Sequence, residues 1–387
     1  MYLYTMLPGT YTPSVMIDRY RSFIWTERYN TAGDFELVLE LNRQNSTMLP
    51  LGTLIGCSES TRVMVVESIE ELVDADELGV LTVKGRSLEI ALLSLRAAMP
   101  RVDSSTQNPW MFYGTPQQIM RDVFAYSCGL NALNTFDTLP DLVNQADPRM
   151  YQGTLPFPED EGWMEISRTD VYSVLTQIAT NYRLGFRLTH YNSKISFDVY
   201  TGHNRSSSQH TFPAMIFDKK LNTMINGRTL LTSSEYKNIA YVYSKYGFEA
   251  VTLPTRPTGH GFNRRIMVVD ATDIETDLGP DLNTELEIRG REALLNQNYF
   301  VGFDGEIPGN SPYSYGTDYN LGDLVEYRDD LGRAFYVLVT EQIFSSDETG
   351  TKSYPTLSSD TQFQAGTWEG WDALQVWPDA PGVWSDH

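Results

Sequence analysis

The sequence predicts an α+β protein that is mainly β: two related β-barrel domains, an inserted helical α/β region and a C-terminal extension. Three observations predict it. Short aliphatic and aromatic runs separated by turn residues fill both halves of the chain. A stretch with helical periodicity and helix-cap signals interrupts them. The segment Leu51-Gly52-Thr53-Leu54-Ile55 returns as Leu321-Gly322-Asp323-Leu324-Val325, each time followed by a polar turn and an apolar strand (Val63–Ile69 and Phe335–Ile343), then by the acidic turns DADELG and SSDETG.

In chain order, the runs FIWTERY, DFELVLEL, LGTLI, VMVVESIEEL and GVLTVKG read as strands from Phe23 to Val83, with a turn at Asn30–Gly33. Ser87 is placed to cap a helix whose Leu88, Ala91, Leu92 and Leu95 share one face, ending before Pro100. Thr115-Pro116-Gln117-Gln118 puts a cap residue, a first-turn Pro and a Gln ahead of the apolar set Ile119, Met120, Val123 and Phe124, with Gly129 as the stop. Ser167 and Asp170 read as a capping box for a helix burying Val171, Val174, Leu175, Ile178 and Tyr182, ended by Gly185. A hairpin follows: GFRLTHY, a turn at Asn192-Ser193, then KISFDVYTG. Strands resume at Ile239–Tyr243, Ala250–Leu253 and Arg265–Val269, with one helix at about 282–297 that accommodates Gly290. The expected domains are residues 1–86 with 186–215 as the first barrel, 87–185 as the helical insertion, 216–350 as the second barrel, and 351–387 as a Trp-rich extension. Residues up to about Val83 and from about Ile216 to Glu348 are expected to superpose.

The stretch DYNLGDLVEYRDDLGRAFYVLVTEQI, Asp318–Ile343, raises a choice between an acidic ligand site and a hairpin whose acids sit at turns. Calcium loops space oxygen ligands at alternating positions around a central Gly, and that spacing is missing. Asp329-Asp330-Leu331-Gly332 is turn chemistry between LVEY and AFYVLVT, so the stretch reads as a hairpin.

A chain of 387 residues suggests two or three domains. The start, MYLYTMLPGTYTP, lacks a basic segment followed by an apolar core and is not expected to be a signal peptide. No apolar run reaches bilayer-spanning length. Cys57 and Cys128 are the only cysteines and read as free thiols. The sequons at Asn45 and Asn204 are expected to be chance matches. Net charge is −21, a sign that repels phosphate backbones and argues against sequence-specific nucleic-acid binding; it suits a wall past which DNA slides without sticking, and composition alone favours plain solubility.

Catalytic and metal motifs are missing: no phosphate loop, HExxH, GxSxG or paired CxxC. His190, His203, His210, His260 and His387 lack Cys or acidic partners at ligand spacing. Glu159-Asp160-Glu161 offers adjacent carboxylates, but in a Pro-rich loop these read as solvated. Cys128 has no nearby His to activate it. No cofactor, metal or catalytic residue is expected.

The order of motifs resembles a known family. Phe23-x-Trp25, Gly33-Asp34-Phe35-Glu36-Leu37, Leu51-Gly52 and Val83-x-Gly85-x-Ser87-Leu88 come first. Phe197-Asp198-Val199-Tyr200-x-Gly202-x-Asn204-Arg205-Ser206, Lys237–Val242 and Tyr319-x-Leu321-Gly322-Asp323-x-Val325 follow. Over about Phe23–Leu357 this is similar to tail-tip hub proteins of long-tailed bacteriophages, specifically the Gp37-like group of phages of actinobacteria and other Gram-positive hosts. At Asn204 the family tends to carry an acidic residue. The resemblance implies a homotrimer in the virion tail tip whose two similar barrels alternate around a pseudo-sixfold ring. It would meet the distal tail or tail-tube protein above, a spike, fibre or receptor-binding protein below, and the tape-measure protein, and DNA would pass without specific binding. The rival classes are a tail-associated cell-wall hydrolase, which lacks a defensible acid–base pair, and a carbohydrate-binding β-protein using Trp platforms. Trp368, Trp371, Trp377 and Trp384 lie in a Ser-, Thr-, Gly- and Pro-rich tail, outside the resemblance, and are expected to dock on an apolar groove within or between subunits.

Overall fold

The computed structural model describes residues 1–73, 79–101, 109–143, 153–159, 161–191, 193–254, 256, 258–274, 282–297, 300–308, 311–331 and 333–360. The first part of the chain forms β1 (Leu3–Met6), β2 (Pro13–Ile17), β3 (Tyr20–Arg28), β4 (Asp34–Glu40), α1 (Arg43–Met48), β5 (Leu54–Cys57), β6 (Val63–Leu72) and β7 (Val80–Ser87). Next come α2 (Leu88–Leu93), β8 (Met111–Gly114), α3 (Pro116–Ser127), β9 (Leu142–Val143), β10 (Gly162–Glu165), α4 (Val171–Tyr182), β11 (Gly185–Tyr191) and β12 (Lys194–Tyr200). The remainder forms β13 (Ile216–Asp218), β14 (Ile225–Thr232), β15 (Ile239–Tyr243), β16 (Phe248–Thr252), β17 (Ile266–Asp270) and α5 (Leu282–Leu295), then β18 (Phe300–Glu306), β19 (Leu324–Arg328), β20 (Ala334–Asp347) and β21 (Gly350–Asp360).

Among the described residues the molecule is mainly β, and thirteen strands lie in one sheet ordered β14-β18-β21-β20-β3-β4-β7-β6-β5-β1-β2, with β19 on β20 and β13 on β19. Two runs of five strands share one order. In the first unit it is β3-β4-β7-β6-β5; in the second it is β14-β18-β21-β20-β19, and every neighbouring pair is antiparallel. The units differ beyond the fifth strand, where β1 lies antiparallel to β5 and β13 lies parallel to β19. Among the described residues no pairing closes either unit on itself, so the expected closed barrels are replaced by an open, continuous sheet.

Periodicity explains the cores. Leu37, Leu39 and Phe35 alternate inward along β4 and meet Trp25, Val83 and Ile55 in the first unit. Phe217, Val325, Phe335, Val337 and Val339 fill the second. Phe344, near the end of β20, packs into the core of the first unit, so this long strand belongs to both.

Local signals set the helices with adjustments, the first being that α2 stops at Leu93 and leaves Leu95, expected on its buried face, exposed. Ser87 and Thr115 occupy the predicted cap positions of α2 and α3. For α4 the cap is Asp170, which accepts from the Ser173 backbone N–H; Ser167 lies outside the helix. That helix ends at Arg183 in the left-handed conformation, and Gly185 opens β11 instead of closing α4.

Three segments sit elsewhere than the sequence suggests. The 185–200 hairpin, assigned to the first barrel, pairs with β9 in its own sheet. Its Phe186, Leu188, Ile195 and Val199 pack with α3 and α4, and Phe197 stacks on Phe124 at 4.0 Å. The strands between 239 and 270 form a separate sheet ordered β16-β15-β17, one face of which buries Val242 and Val251 with Leu286 of α5. Residues 351–360, assigned to the extension, form nearly all of β21, which lies between β20 and β18. Pro355 is compatible with this because the β18 pairing ends at Thr356, one residue away.

Candidate functional site at the junction of the two units

The second Leu-Gly turn lies where the units meet. Gly322 has a φ of +86°, open to glycine at no steric cost, and a Cβ there would fall 2.3 Å from the Tyr29 ring. Gly202 approaches the same turn so closely that a Cβ would collide with the Gly322 backbone. Asp323, fully buried, accepts hydrogen bonds from the His203 backbone N–H at 2.7 Å, Arg205 Nε at 2.9 Å and the Asn320 backbone N–H at 3.0 Å. Its charge is held by an arginine and two amides, as a buried carboxylate requires. Tyr29 donates to the carbonyls of Arg183 and Tyr200, both at 3.1 Å, and its ring meets Tyr200 edge-on. One turn therefore joins the first unit, the hairpin and the second unit.

Beside it is a cavity of about 280 Å³ lined by Glu27, Arg62, Arg187, Tyr200, Tyr315 and Asn320, with exposed Glu59 among its other walls. Its buried charges are already engaged. Buried Arg62 pairs with Glu89, which also accepts from the Leu188 N–H at 2.9 Å. Arg187 bonds Asp198 at 2.8 Å and lies 4.0 Å from the Tyr200 ring centroid. Glu27 accepts from Trp25 Nε1 at 3.3 Å and Tyr315 Oη at 2.9 Å. Burial raises the phenols of Tyr29, Tyr200 and Tyr315. A general acid needs a carboxyl free to exchange its proton with a substrate, whereas these side chains lock strands to one another. Among the described residues no group of three His, Cys, Asp or Glu is placed to hold a metal.

The acids of the 318–343 stretch are distributed as a hairpin distributes them. Besides Asp323, buried Glu326 accepts from Arg328 Nε at 2.6 Å and from Ser207. Asp329 organises the turn through the Leu331 and Arg333 N–H groups and Arg333 Nε, Asp330 is exposed, and Glu341 bonds Arg28 at 2.6 Å. Glu159 and Glu161 are exposed, and Asp160 lies outside the described residues. His203 bonds Thr154 at 2.8 Å; burial lowers its pKa. Cys57 and Cys128 are free and buried, and burial pushes both thiols up to about 12. The four tail residues Trp368, Trp371, Trp377 and Trp384 lie outside the described residues.

Sequence reasoning missed Tyr29, Glu27, Arg62, Glu89 and Arg187. Gly202, Arg205 and Asp323 stood in the recognised motifs, but nothing local in the sequence links them.

A family model described as Siphovirus ReqiPepy6 Gp37-like protein matches residues 8–357. Among solved structures, a tail protein from Neisseria meningitidis MC58 has a TM-score of 0.52 and 12% identity, covering 93% of this chain and 97% of that one. The prophage MuSo2 43 kDa tail protein from Shewanella oneidensis gives 0.51 and 14%, covering 92% and 98%. Prophage tail protein gp18 from Listeria monocytogenes EGD-e gives 0.50 and 11%, covering 97% and 100%. At these identities the likeness establishes a shared fold. A search of curated proteins returns no match.

Proposed function

The chain belongs to the Siphovirus ReqiPepy6 Gp37-like protein family, and from that premise we propose that it is a structural hub of a phage tail tip. Three copies form a ring of six similar units. The ring joins the distal tail tube to a spike, fibre or receptor-binding protein below, touches the tape-measure protein, and lets DNA pass through an acidic bore. The observation that carries this is the repeated five-strand order, with the two copies already joined edge to edge by β20 and β3. A chain whose halves are each other's neighbours has the form of a ring element. Three likenesses to proteins described as tail proteins support the location, and the net charge of −21 suits a DNA path.

The role is architectural, not enzymatic, because the junction carboxylates are tied to arginines, amides and phenols. Incubation with host cell walls is expected to release no reducing sugar or peptide. Within this reading the tail carrying Trp368, Trp371, Trp377 and Trp384 docks on an apolar surface of its own or a neighbouring subunit. A chain ending after Asp360 keeps β21 and isolates that role: reduced tip assembly is expected, and unchanged incorporation into tails removes it. The hub reading itself is tested by labelling virions with antibody against this protein. Decoration confined to the distal tail end is expected; label along the tube or on the capsid contradicts it.

A further inference from the structure

The geometry points to one seam between copies: strand β14 of one copy adds to the outer edge of β6 in the next, in the register of the internal β20–β3 pair. This inference rests on the ring reading and names the surfaces that would make it.

The equivalence of the strands is fixed by hydrogen bonds. In the first unit the Gly52 N–H donates to the Val66 carbonyl at 2.8 Å, and the Val66 N–H to the Thr53 carbonyl at 2.9 Å. In the second, Gly322 donates to Val339 at 2.8 Å and Val339 to Asp323 at 2.9 Å. Both strands then shift register, after Val66 in β6 and after Val339 in β20. Register carries the match across four strands: Val66 faces Gly85, which faces Phe35, which faces Trp25. Correspondingly, Val339 faces Leu357, which faces Phe303, which faces Thr229. So β6 stands for β20, and β14 for β3.

Inside the chain the edge of β20 beyond β19 is covered: Glu341–Ser346 pair with Phe23–Arg28. Among the described residues the same edge of β6 beyond β5 has no strand on it and β14 pairs with β18 alone. An open pair of edges is a template for strand addition. Apolar side chains gather there: Leu51 is 66% exposed, Leu72 62%, Val73 77% and Leu230 43%. Leu321, the counterpart of Leu51 at the covered seam, is 3% exposed.

Transferring the register sets Ser68 against Thr232, Glu70 against Leu230 and Leu72 against Arg228. Glu70 then lies diagonal to Arg228 on one face, with Leu72 diagonal to Leu230, pairings that favour the contact. Joining β6 to β6 would instead bring Glu70 and Glu71 against their own copies. The contact is therefore heterologous, and copies add head to tail until the rotation closes.

The test uses the full-length protein with Glu70→Cys and Leu230→Cys, singly and together, and Leu72→Cys with Arg228→Cys as a second pair. Cys57 and Cys128 stay in place, since both are buried. Under mild oxidation each double variant is expected to give disulfide-linked species of up to three chains, and each single variant none. Native mass by light scattering is read alongside. Trimers without cross-links from either pair overturn the seam and leave the ring; cross-linked ladders beyond three chains keep the seam and remove three-membered closure. Single variants that link as well as the doubles show a two-fold contact and overturn the seam. Monomers without cross-links overturn both.

Discussion

The two Leu-Gly turns share a backbone and differ in what surrounds them. At Gly52 the φ is +83° and at Gly322 +86°, and both turns make the same pair of hydrogen bonds to the following strand. Among the described residues nothing lies within 4 Å of a Cβ built on Gly52, whereas Gly322 is pressed by Tyr29. Thr53 is half-buried and its hydroxyl donates to the Pro50 carbonyl of its own turn, while the Asp323 carboxylate anchors the 203–205 segment. The comparison separates what the turn needs for itself, a glycine, from what a junction adds to it, a buried charge and a ring.

The largest difference is expected at the residue after the glycine. Asp323→Ala leaves the nearly buried Arg205 guanidinium without its carboxylate and should cost about 3–5 kcal/mol. Thr53→Ala should stay within about 0.5 kcal/mol. Urea unfolding of both variants measures the contrast, and similar losses would break the comparison. A smaller gap separates the glycines. Gly52→Ala meets only the left-handed backbone penalty, about 1–2 kcal/mol. Gly322→Ala adds a clash with Tyr29, bringing it to about 3 kcal/mol. Pairing Gly322→Ala with Tyr29→Leu should recover part of that loss, which thermal melts of the single and double variants will show.

The units also differ in what fills one connection. Between β3 and β4 the first unit has a short turn; between β14 and β18 the second carries β15–β17 and α5. That insertion meets α4 at Glu292, whose carboxyl is pushed up to about 7 by burial and then by Glu165, against the pull of Arg289. A carboxyl raised in the folded state stabilises docking fully below the unfolded value near 4.5, and the contribution is lost as pH rises through 7. Glu292→Gln should flatten that dependence and leave the protein more stable than the unsubstituted chain at pH 8 by about 1–3 kcal/mol. Melts from pH 5 to 8 that remain parallel for the two proteins would contradict this.

Local chemistry was readable from the sequence and sheet membership was not. The Leu-Gly turns announce themselves because a positive φ selects glycine, and α3 because Thr115-Pro116 suits a helix start. The 185–200 hairpin is a hairpin by composition, but α3 and α4 decide which core it covers. Strand β21 reads as loop through its Ser, Thr and Pro content and is held by neighbours on both sides. At the junction, Arg62 and Arg187 resemble surface arginines in sequence; only the fold brings Glu89 and Asp198 to them. Asp323 was readable as the residue after a glycine at a strand start and not as an anchor, since Arg205 lies 118 positions away.

The central claim is that the two units occupy equivalent places in a closed ring. Class averages of the purified protein in electron micrographs, scaled to its native mass, test it most directly. Particles of three times the 43.9 kDa chain mass, with threefold symmetry and six similar lobes around a central opening, are expected. Monomers at all concentrations, or two-fold particles without an opening, would contradict it.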